Sequence, residues 1–349
     1  MKQDPRGLRE RLVARLASAG VLDLALRVRG SLPPTLLSVF TFHRVAEPDP
    51  HDPFDPDVVD ATPSQFRRVA EMLALGGTPI TIDSLIRSLE TGELPRNPFM
   101  LTFDDGYRSC VDVVLPILLH LGIPATFFIP TAFPEQSSLF WWDKIAAMLA
   151  ASTRERVTLR YPRPRMLEPR SPRCRTILTA IVKDTPGLDL DTFFAELAAV
   201  LDVEWSDEIE QRLASSLIAS WAQVRGLADA AMDVESHTHS HRVLETLDAC
   251  SIRDELVRSR AVLEAHLERP VRALAYPVGR QPARHVQEAV ANAGYRIAFT
   301  NSSGGNRVWS GPLRGAFPLD RLALRRHATE RSTSDAMLFA QFVLPEVAY

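Results

Sequence analysis

The sequence predicts an α/β protein that folds as an irregular (β/α) barrel with a mostly helical insertion. Short apolar runs alternate along the chain with amphipathic helical patterns, which is typical of a mainly parallel sheet. Titratable residues follow several of these runs, as they do at the carboxyl ends of barrel strands. A chain of 349 residues, 46% of them hydrophobic, can bury the large core that such a barrel needs.

The first 34 residues are predicted to form an amphipathic helical segment that precedes the barrel. Apolar residues from Leu8 to Leu16 recur at helical spacing, and Arg9, Arg11 and Arg15 lie on other faces. Such a segment can pack against the barrel or a partner chain, or it can lie on an acidic membrane surface through residues 5–30. A Pro-Pro pair then separates it from the first strand.

The barrel is predicted over residues 35–330, and a C-terminal helix over 331–349. Apolar runs of strand length occur at 36–42, 79–82, 99–103, 125–129, 233–236, 273–276 and 296–300. Helical patterns lie between them at 64–75, 83–90, 111–121, 252–267 and 282–293. This order predicts a barrel whose catalytic groups gather at the carboxyl ends of the strands.

Residues 134–219 interrupt the alternation and are predicted as the helical insertion. The aromatic residues Phe140, Trp141 and Trp142 stand together near its start, and an Arg/Pro-rich section follows at 160–173. Helical patterns then occur at 176–182, 192–201 and 207–219. We expect the insertion to lie beside the rim at which the strands end.

Composition excludes several classes of protein. A net charge of −3 and a pI near 6.3 give no electrostatic footprint for nucleic acid. Cys110, Cys174 and Cys250 are odd in number, widely spaced and without a CxxC pattern, which argues against a disulfide framework and a thiolate metal site. No apolar stretch has the length of a membrane span or the form of a secretory signal, so we expect a cytoplasmic protein.

The first candidate for chemistry is the pair Asp104 and Asp105, which follows the apolar run 99–103 and precedes Gly106. By itself, an Asp-Asp-Gly sequence after a strand is typical of a turn. Adjacent residues of an extended chain point to opposite sides, however, so one carboxylate can bind a metal while the other serves as a base. The metal interpretation therefore requires further ligands elsewhere in the chain.

Three histidines at alternating positions, His237, His239 and His241, can supply those ligands. His237 and His241 are four residues apart, which places both rings on one face of a helical turn, where they can share one ion. Imidazole together with carboxylate suits zinc or a similar divalent metal, and one Asp with two His leaves a coordination position open. A histidine-rich surface loop is the alternative, with His239 pointing to solvent.

A third apolar run ends in a Pro/Gly turn at residues 272–279, and at this point the sequence resembles a known family. The segments Thr-Phe-Asp-Asp-Gly-Tyr (102–107), Ser-His-Thr-x-x-His (236–241) and Arg-x-x-Ala-Tyr-Pro-x-Gly (272–279) occur in this order. This combination resembles the polysaccharide deacetylases with NodB homology, carbohydrate esterase family four. The resemblance covers roughly residues 36–326 and implies a deformed seven-stranded barrel.

The resemblance implies a role for each of these residues. Asp105, His237 and His241 would bind a divalent metal, preferably zinc. Asp104 would be the general base, and Arg272 would hold and orient it. The remaining implied contacts are the backbone N–H of Tyr107 as an oxyanion donor and Tyr276 and Pro277 in substrate binding.

The general acid is less well defined, because two histidines are candidates. Many members of the family take it from a late Leu-x-x-x-x-His motif, for which His327 is the nearest counterpart, although the match is imperfect. His43 follows the first strand in a segment that resembles the Tyr-His-x-Val segment of the poly-N-acetylglucosamine deacetylase branch. We prefer His43 because its strand would end at the same rim as Asp104. A packing or capping role is the alternative for His43.

The predicted function is therefore metal-dependent removal of acetyl groups from a carbohydrate. N-acetyl groups of a polysaccharide, oligosaccharide or lipid-linked amino sugar are preferred over O-acetyl groups. The aromatic residues 140–142 could stack on sugar rings or anchor the insertion, and the polar loop 301–306 could contact substrate or solvent. The alternatives are a hydrolase of non-sugar linear amides and a degenerate member that binds glycans without turnover.

Overall fold

The predicted irregular barrel is confirmed by a computed structural model, which describes residues 5–31, 36–136, 138–307 and 321–344. The strands, in chain order, are β1 (Leu36–Phe42), β2 (Arg44–Val45), β3 (Val59–Ala61), β4 (Thr78–Pro79), β5 (Pro98–Phe103), β6 (Thr126–Ile129), β7 (Val157–Leu159), β8 (Arg165–Leu167), β9 (Asp233–Ser236), β10 (Ala273–Ala275), β11 (Ile297–Phe299), β12 (Asn306–Arg307) and β13 (His327–Ala328).

Helices surround the sheet and form most of the insertion. They are α1 (Pro5–Ser18), α2 (Val21–Ser31), α3 (Pro63–Gly76), α4 (Ile82–Thr91), α5 (Leu115–Leu121), α6 (Ala132–Gln136), α7 (Trp141–Ala151), α8 (Pro172–Asp184), α9 (Leu190–Leu201), α10 (Asp207–Leu217), α11 (Trp221–Asp229), α12 (Ala249–Leu267), α13 (Arg284–Asn292) and α14 (Asp335–Val343).

The main sheet is parallel and curls into a half-barrel. Its strands lie in the order β11, β10, β9, β6, β5 and β1, with β4 beside β5 and the antiparallel β12 at the far side of β1. Because β5 and β9 are separated only by β6, the loops that follow these two strands reach the same rim. The aspartate and histidine motifs are therefore brought together, although they are far apart in the chain.

A late segment links the two sides of the curled sheet. The N–H of Leu324 donates to the carbonyl of Ala298 (2.9 Å), and the N–H of Thr300 donates to the carbonyl of Leu324 (2.8 Å), so Leu324 lies against the end of β11. A few residues later, β13 pairs in parallel with β1. The residues between these two contacts pass across the rim on which the site is built.

Aromatic side chains fill the core directly below that rim. The rings of Phe42, Phe103 and Phe127, from three adjacent strands, stack with centroid separations of 5.6 and 5.0 Å. Phe66 of α3 meets Phe42 and Phe103 edge-on, at 5.3 and 5.5 Å. Each buried aromatic side chain contributes about 1.5–3 kcal/mol to stability, so this cluster stabilises the strand ends that carry Asp104.

The N-terminal segment forms two helices, α1 and α2, where the sequence predicted a single segment. Gly20 separates them with a φ of 71°, a backbone conformation that glycine adopts without strain. Both helices pack against α14 around a small core of Leu22, Ala340 and Val343. This agrees with the packing alternative, while contact with a membrane or a partner through residues 5–30 stays a prediction.

Membrane-spanning helices are not found in the described ranges, where no helix combines the necessary length and apolar character.

The mostly helical insertion contains α7 to α10 and also a hairpin that the sequence did not predict. Strands β7 and β8 are antiparallel and flank residues 160–164. They lie partly within the Arg/Pro-rich section, where two three-residue strands give no readable alternation. The domain limits at 34, 134, 219 and 330 stay predictions.

Two predicted elements differ from the structure near their ends. The strand predicted at 79–82 stops at Pro79, and α4 begins at Ile82 because the Thr81 hydroxyl caps it by accepting from the N–H of Ser84 at 3.2 Å. The helix predicted at 111–121 begins with a π-helical turn and continues as α5, with Pro116 in its first turn. Neither difference moves a residue of the site.

Candidate active site

The two adjacent aspartates leave the end of β5 in different directions. The N–H of Asp104 still donates to the carbonyl of Phe42 at 2.9 Å, which extends the pairing with β1 by one residue. Asp105 has a φ of 71° and Gly106 a φ of 70°, so the chain turns sharply at this point. Glycine adopts this conformation without strain, and a Cβ on residue 106 would also lie 2.9 Å from the end of the Ile129 side chain, so glycine is favoured there.

The histidine motif is an irregular loop after β9, and the predicted helical turn is wrong. Thr238 and His241 have φ angles of 67° and 53°, in the left-handed region. The two rings nevertheless converge, with 3.1 Å between the Nε2 atoms of His237 and His241. Two residues in the left-handed region therefore bring the two rings together in this loop, where the spacing predicted that a helical turn would do so.

Asp105, His237 and His241 form a buried cluster that suits a cation. Asp105 Oδ1 lies 3.4 Å from His237 Nε2 and 3.3 Å from His241 Nε2, and the three ligand atoms fall within 4.8 Å of one another. Asp105 Oδ1 has no hydrogen-bond partner of good geometry in the described part of the chain. A buried carboxylate oxygen between two imidazole nitrogens fits a divalent metal.

The other nitrogen of His237 fixes the orientation of its ring. His237 Nδ1 lies 2.8 Å from the carbonyl oxygen of Ala275 at the end of β10, which places Nε2 toward Asp105. His239, between the two ligands, is also buried, with Nδ1 2.7 Å from the hydroxyl of Thr131. His239 therefore points neither to the cluster nor to solvent.

Asp104 is held by Arg326. The Arg326 Nη1 and Nη2 atoms donate to the Oδ1 and Oδ2 atoms of Asp104, each at 2.7 Å, and both side chains are fully buried. Burial alone would raise the pKa of Asp104, but the charge of the Arg326 guanidinium, with that of His237, holds it below its usual value. Asp104 is therefore a fixed, ionised carboxylate.

The prediction that Arg272 orients Asp104 is corrected by this geometry. The Arg272 guanidinium forms an ion pair with the exposed Asp83 at the start of α4. Arg272 immediately precedes β10, at the opposite end of the strand from the rim, so its side chain is remote from Asp104. Arg326 belongs to the late Leu-x-x-x-x-His segment, in which the motif indicates only a histidine.

His43 lies at the rim in contact with a carboxylate. Its Nδ1 atom is 2.9 Å from Asp60 Oδ2 on β3, and its side chain is 24% exposed. Burial alone would lower the pKa of His43, but the charge and hydrogen bond of Asp60, together with the charges of Asp105 and Asp104, raise it to about 9. The ring is thus protonated at neutral pH.

His327 occupies a different environment from His43. It lies on β13, fully buried, with its ring 5.1 Å from that of Phe40. Burial and then the charge of Arg29 lower the pKa of His327 to about 4, so the ring is neutral at physiological pH. His43 is therefore the candidate that meets the charge requirement of a general acid.

The three residues predicted to contact substrate, Tyr107, Tyr276 and Pro277, have different surroundings. Tyr107 forms an antiparallel bridge with Ile218, and the N–H groups that donate in this bridge are those of Arg108 and Ala219. The N–H of Tyr107 takes no part in the bridge. Tyr276 is buried, and its hydroxyl donates to the carbonyl of Leu322 at 2.9 Å. Pro277 is buried as well.

A cavity of about 350 Å³ connects these groups. His43 and Asp104 line it together with the three ligand residues, and Val278 and Asn301 do so in place of Tyr276 and Pro277. Trp141 and Trp142 also reach it, although both are largely buried, and Trp142 packs edge-on against His241 at 4.8 Å. The tryptophans therefore anchor the insertion and form part of the cavity wall.

The family model of the polysaccharide deacetylases matches residues 91–162 and 199–298, which include the aspartate pair and both ligand histidines. Over these residues the chain is similar to the polysaccharide deacetylases. No curated protein sequence matches it significantly. Between the two matched stretches, residues 163–198 hold β8, α8 and most of α9.

Solved structures share the fold at low sequence identity. The deacetylase PplD of Streptococcus pyogenes, solved with acetate, has a TM-score of 0.58 and 17% identity, over 89% of this chain and 100% of that one. A polysaccharide deacetylase from Bacillus cereus gives 0.54 and 17%, over 88% and 69%. IcaB from Ammonifex degensii gives 0.52 and 18%, over 90% and 96%. These likenesses extend the polysaccharide deacetylase fold to nearly the whole chain.

Proposed function

We propose that this protein is a metal-dependent deacetylase that hydrolyses N-acetyl groups of an amino sugar and releases acetate. The substrate would be a polysaccharide, an oligosaccharide or a lipid-linked sugar. The observation that carries the proposal is the juxtaposition of Asp104, fixed by a buried arginine, with the cluster of Asp105, His237 and His241. One carboxylate is thereby available as a base beside three metal ligands.

Asp105, His237 and His241 would hold the metal, and their two imidazoles and one carboxylate favour zinc. A divalent ion bound there would polarise the acetyl carbonyl and lower the pKa of water. Asp104 would accept a proton from the attacking water, since Arg326 keeps it ionised and oriented. The N–H of Tyr107 would donate to the oxyanion that develops on the carbonyl oxygen.

His43 would act as the general acid. Cleavage of an amide requires protonation of the leaving nitrogen, and a histidine whose pKa is raised to about 9 carries that proton at neutral pH. Asp60 accepts from Nδ1, which leaves Nε2 to face the cavity. The leaving oxygen of an ester depends less on protonation than the leaving nitrogen of an amide. A protonated His43 therefore favours N-acetyl over O-acetyl substrates.

Two other functions use the same residues. A hydrolase of non-sugar linear amides would share the chemistry and differ in the groups that bind the substrate. A degenerate member would bind glycans without turnover, but binding alone requires neither a second buried aspartate nor the buried arginine that holds it. The intact pair of Asp104 and Arg326 therefore supports an enzyme.

The test is acetate release from a panel of acetylated saccharides and lipid-linked sugars, each with and without added zinc. We expect metal-dependent release from at least one N-acetylated sugar, with loss of activity in Asp104→Asn and Asp105→Asn. Elemental analysis should find metal in Asp104→Asn and little in Asp105→Asn, because only Asp105 is a ligand. Absence of metal from the purified wild type, with no release from any substrate, would disprove the proposal.

A further inference from the structure

One helix of the insertion gives the cavity a polar wall. Thr176, Thr179 and Lys183 of α8 recur at positions i, i+3 and i+7, so they lie on one face, and all three line the cavity together with Arg175. This helix lies within residues 163–198, which the family model does not match. The wall is therefore a feature of this chain that the matched part of the family sequence does not specify.

The two cationic side chains on this wall differ in their partners. Arg175 is compensated, because its Nη2 atom lies 2.6 Å from Asp57 Oδ2 and its Nη1 atom lies 3.4 Å from Asp55 Oδ1. Lys183 makes no ion pair within the described ranges, and its Nζ atom lies 5.7 Å from the centre of the Trp141 ring. The lysine is held against an aromatic face, and no carboxylate in the described ranges pairs directly with its ammonium group.

The surroundings of Lys183 disfavour its charge. Burial and then the nearby charge of Arg280 lower the pKa of Lys183, and the opposing effects of Asp55, Asp184 and Asp57 do not outweigh them. Lys144, on α7 of the same insertion, shows the usual arrangement. It also lies over aromatic rings, but its Nζ atom is 2.6 Å from Glu210. An anion bound near Lys183 would pair with its ammonium group, as the Glu210 carboxylate pairs with that of Lys144.

We propose that Lys183 binds an anionic group, a phosphate or a carboxylate, carried by the acetylated sugar substrate. Thr176 and Thr179 would donate their hydroxyl groups to the same anionic oxygens, since they share the face of α8 with Lys183. This inference rests on the proposed function, because it assigns the substrate class of the same cavity. In this proposal, residues of the insertion select the substrate, and residues at the barrel rim hydrolyse it.

Binding can be measured without turnover by calorimetry on the intact protein with a chelator present. The probes are N-acetylglucosamine, N-acetylglucosamine 6-phosphate and N-acetylmuramic acid, which separate a neutral sugar from a phosphate and a carboxylate. Each is titrated into the wild type, Lys183→Gln and Arg173→Gln. Arg173→Gln is the matched control, because it removes the same charge from the same helix. Arg173 is exposed and does not line the cavity.

We expect the wild type to bind at least one charged sugar about tenfold more tightly than N-acetylglucosamine at low salt. Lys183→Gln should abolish that preference, whereas Arg173→Gln should retain it. Equal affinities for all three sugars in the wild type, or an undiminished preference in Lys183→Gln, would overturn the inference.

Acetate release from the same sugars, measured with zinc, separates the two proposals. Release from the neutral sugar without a preference for charged ones leaves the proposed function standing and rejects the role of Lys183. A charged-sugar preference in binding, without acetate release from these sugars or from any substrate of the wider panel, supports the role of Lys183 and rejects the proposed function.

Discussion

The ion pair between Arg326 and Asp104 is the most constrained interaction of the site. Both side chains are fully buried, and the two parallel hydrogen bonds fix the carboxylate plane. The Arg326 guanidinium also lies over the rings of Phe128 and Phe299, at 5.5 and 6.0 Å. These contacts orient the proposed base before substrate arrives, so they bear on turnover more than on substrate affinity.

Replacement of Arg326 by lysine tests this positioning role. Lysine keeps the charge but cannot donate the two parallel hydrogen bonds of the guanidinium, so the Asp104 carboxylate can rotate. We therefore expect kcat to fall about 10²-fold with little change in KM. Arg272→Lys is the matched control, because its pair with Asp83 is partly exposed and worth less than about 1 kcal/mol. Equal kinetics for the two variants would show that Arg326 does not position the base.

The contact between His43 and Asp60 leads to a prediction about pH. If His43 is the acid, kcat falls as rising pH removes its proton, because the neutral ring cannot protonate the leaving nitrogen. Asp60 is the main group that raises the pKa of His43 against the effect of burial. In Asp60→Asn the fall should therefore occur at lower pH, which a pH profile of kcat would detect. An unchanged profile would reject His43, and a control profile of His327→Gln should match the wild type.

Residues of the site were predictable from the sequence where they lie in short motifs. Asp104, Asp105, His237 and His241 could be identified because they lie in two short motifs whose combination and order resemble those of a known family. Arg326 could not, because 222 positions separate it from Asp104 and only the curl of the sheet brings them together. Its one sequence signal is an arginine directly before the late strand β13.

Among the elements, the insertion is joined to the barrel by a buried polar network. Tyr107, next to the aspartate pair, donates from its hydroxyl to Asp143 Oδ2 at 2.9 Å and accepts from Trp142 Nε1 at 2.8 Å. The N–H of Asp55 donates to the other oxygen of Asp143 at 2.9 Å. The start of α7 is thereby tied to the β5 turn and to the loop before β3.

Asp143 should make the stability of the protein depend on pH. Burial raises the pKa of Asp143 to about 8 in the folded state, from an ordinary 3.8. Between these values the folded protein keeps a proton that the unfolded chain releases, so stability falls as pH rises, at about 1.4 kcal/mol per pH unit. Asp143→Asn removes this contribution. Urea unfolding at pH 5 and pH 8 should show a smaller loss in the variant than in the wild type.

The exposed Asp229 provides the control for this measurement. Asp229→Asn removes a carboxylate at the end of α11, outside the network, so its loss of stability between pH 5 and pH 8 should equal that of the wild type. If Asp143→Asn behaves in the same way as Asp229→Asn, Asp143 is not protonated in the folded protein.

Most elements could be predicted within a few residues, because apolar periodicity and caps are local signals. The β9 strand and the ends of α9 and α12 lie where the sequence placed them. The β7–β8 hairpin could not be predicted, since its three-residue strands flank a Pro-rich loop and alternate too briefly. The closure by Leu324 and β13 depends on pairing with β11 and with β1, and β1 lies hundreds of residues earlier in the chain. Periodicity does not encode such pairing.

For the whole molecule, charge and apolar surface are distributed unevenly. The first 31 residues contain seven basic and three acidic residues, whereas the complete chain has a net charge of −3. On α2, the side chains of Val21, Leu24 and Val28 are 44%, 63% and 54% exposed, at positions i, i+3 and i+7. Arg29 anchors this helix by donating to the carbonyl of Leu36 at 2.6 Å. The helix therefore lies at the start of β1, away from the rim that holds the cavity.

This arrangement predicts weak binding to anionic lipid vesicles at low salt, with the cavity facing the aqueous phase. Basic residues near such a surface contribute about 1 kcal/mol each, and salt screens them. Co-sedimentation with vesicles should therefore weaken as salt rises and should fall in the double variant Leu24→Ser/Val28→Ser. Val257→Ser, which removes an exposed apolar side chain from α12, should bind as the wild type does. If wild type and double variant bind equally, or neither binds, the N-terminal helices serve only to pack against α14, and the acetylated substrate reaches the rim without a lipid surface.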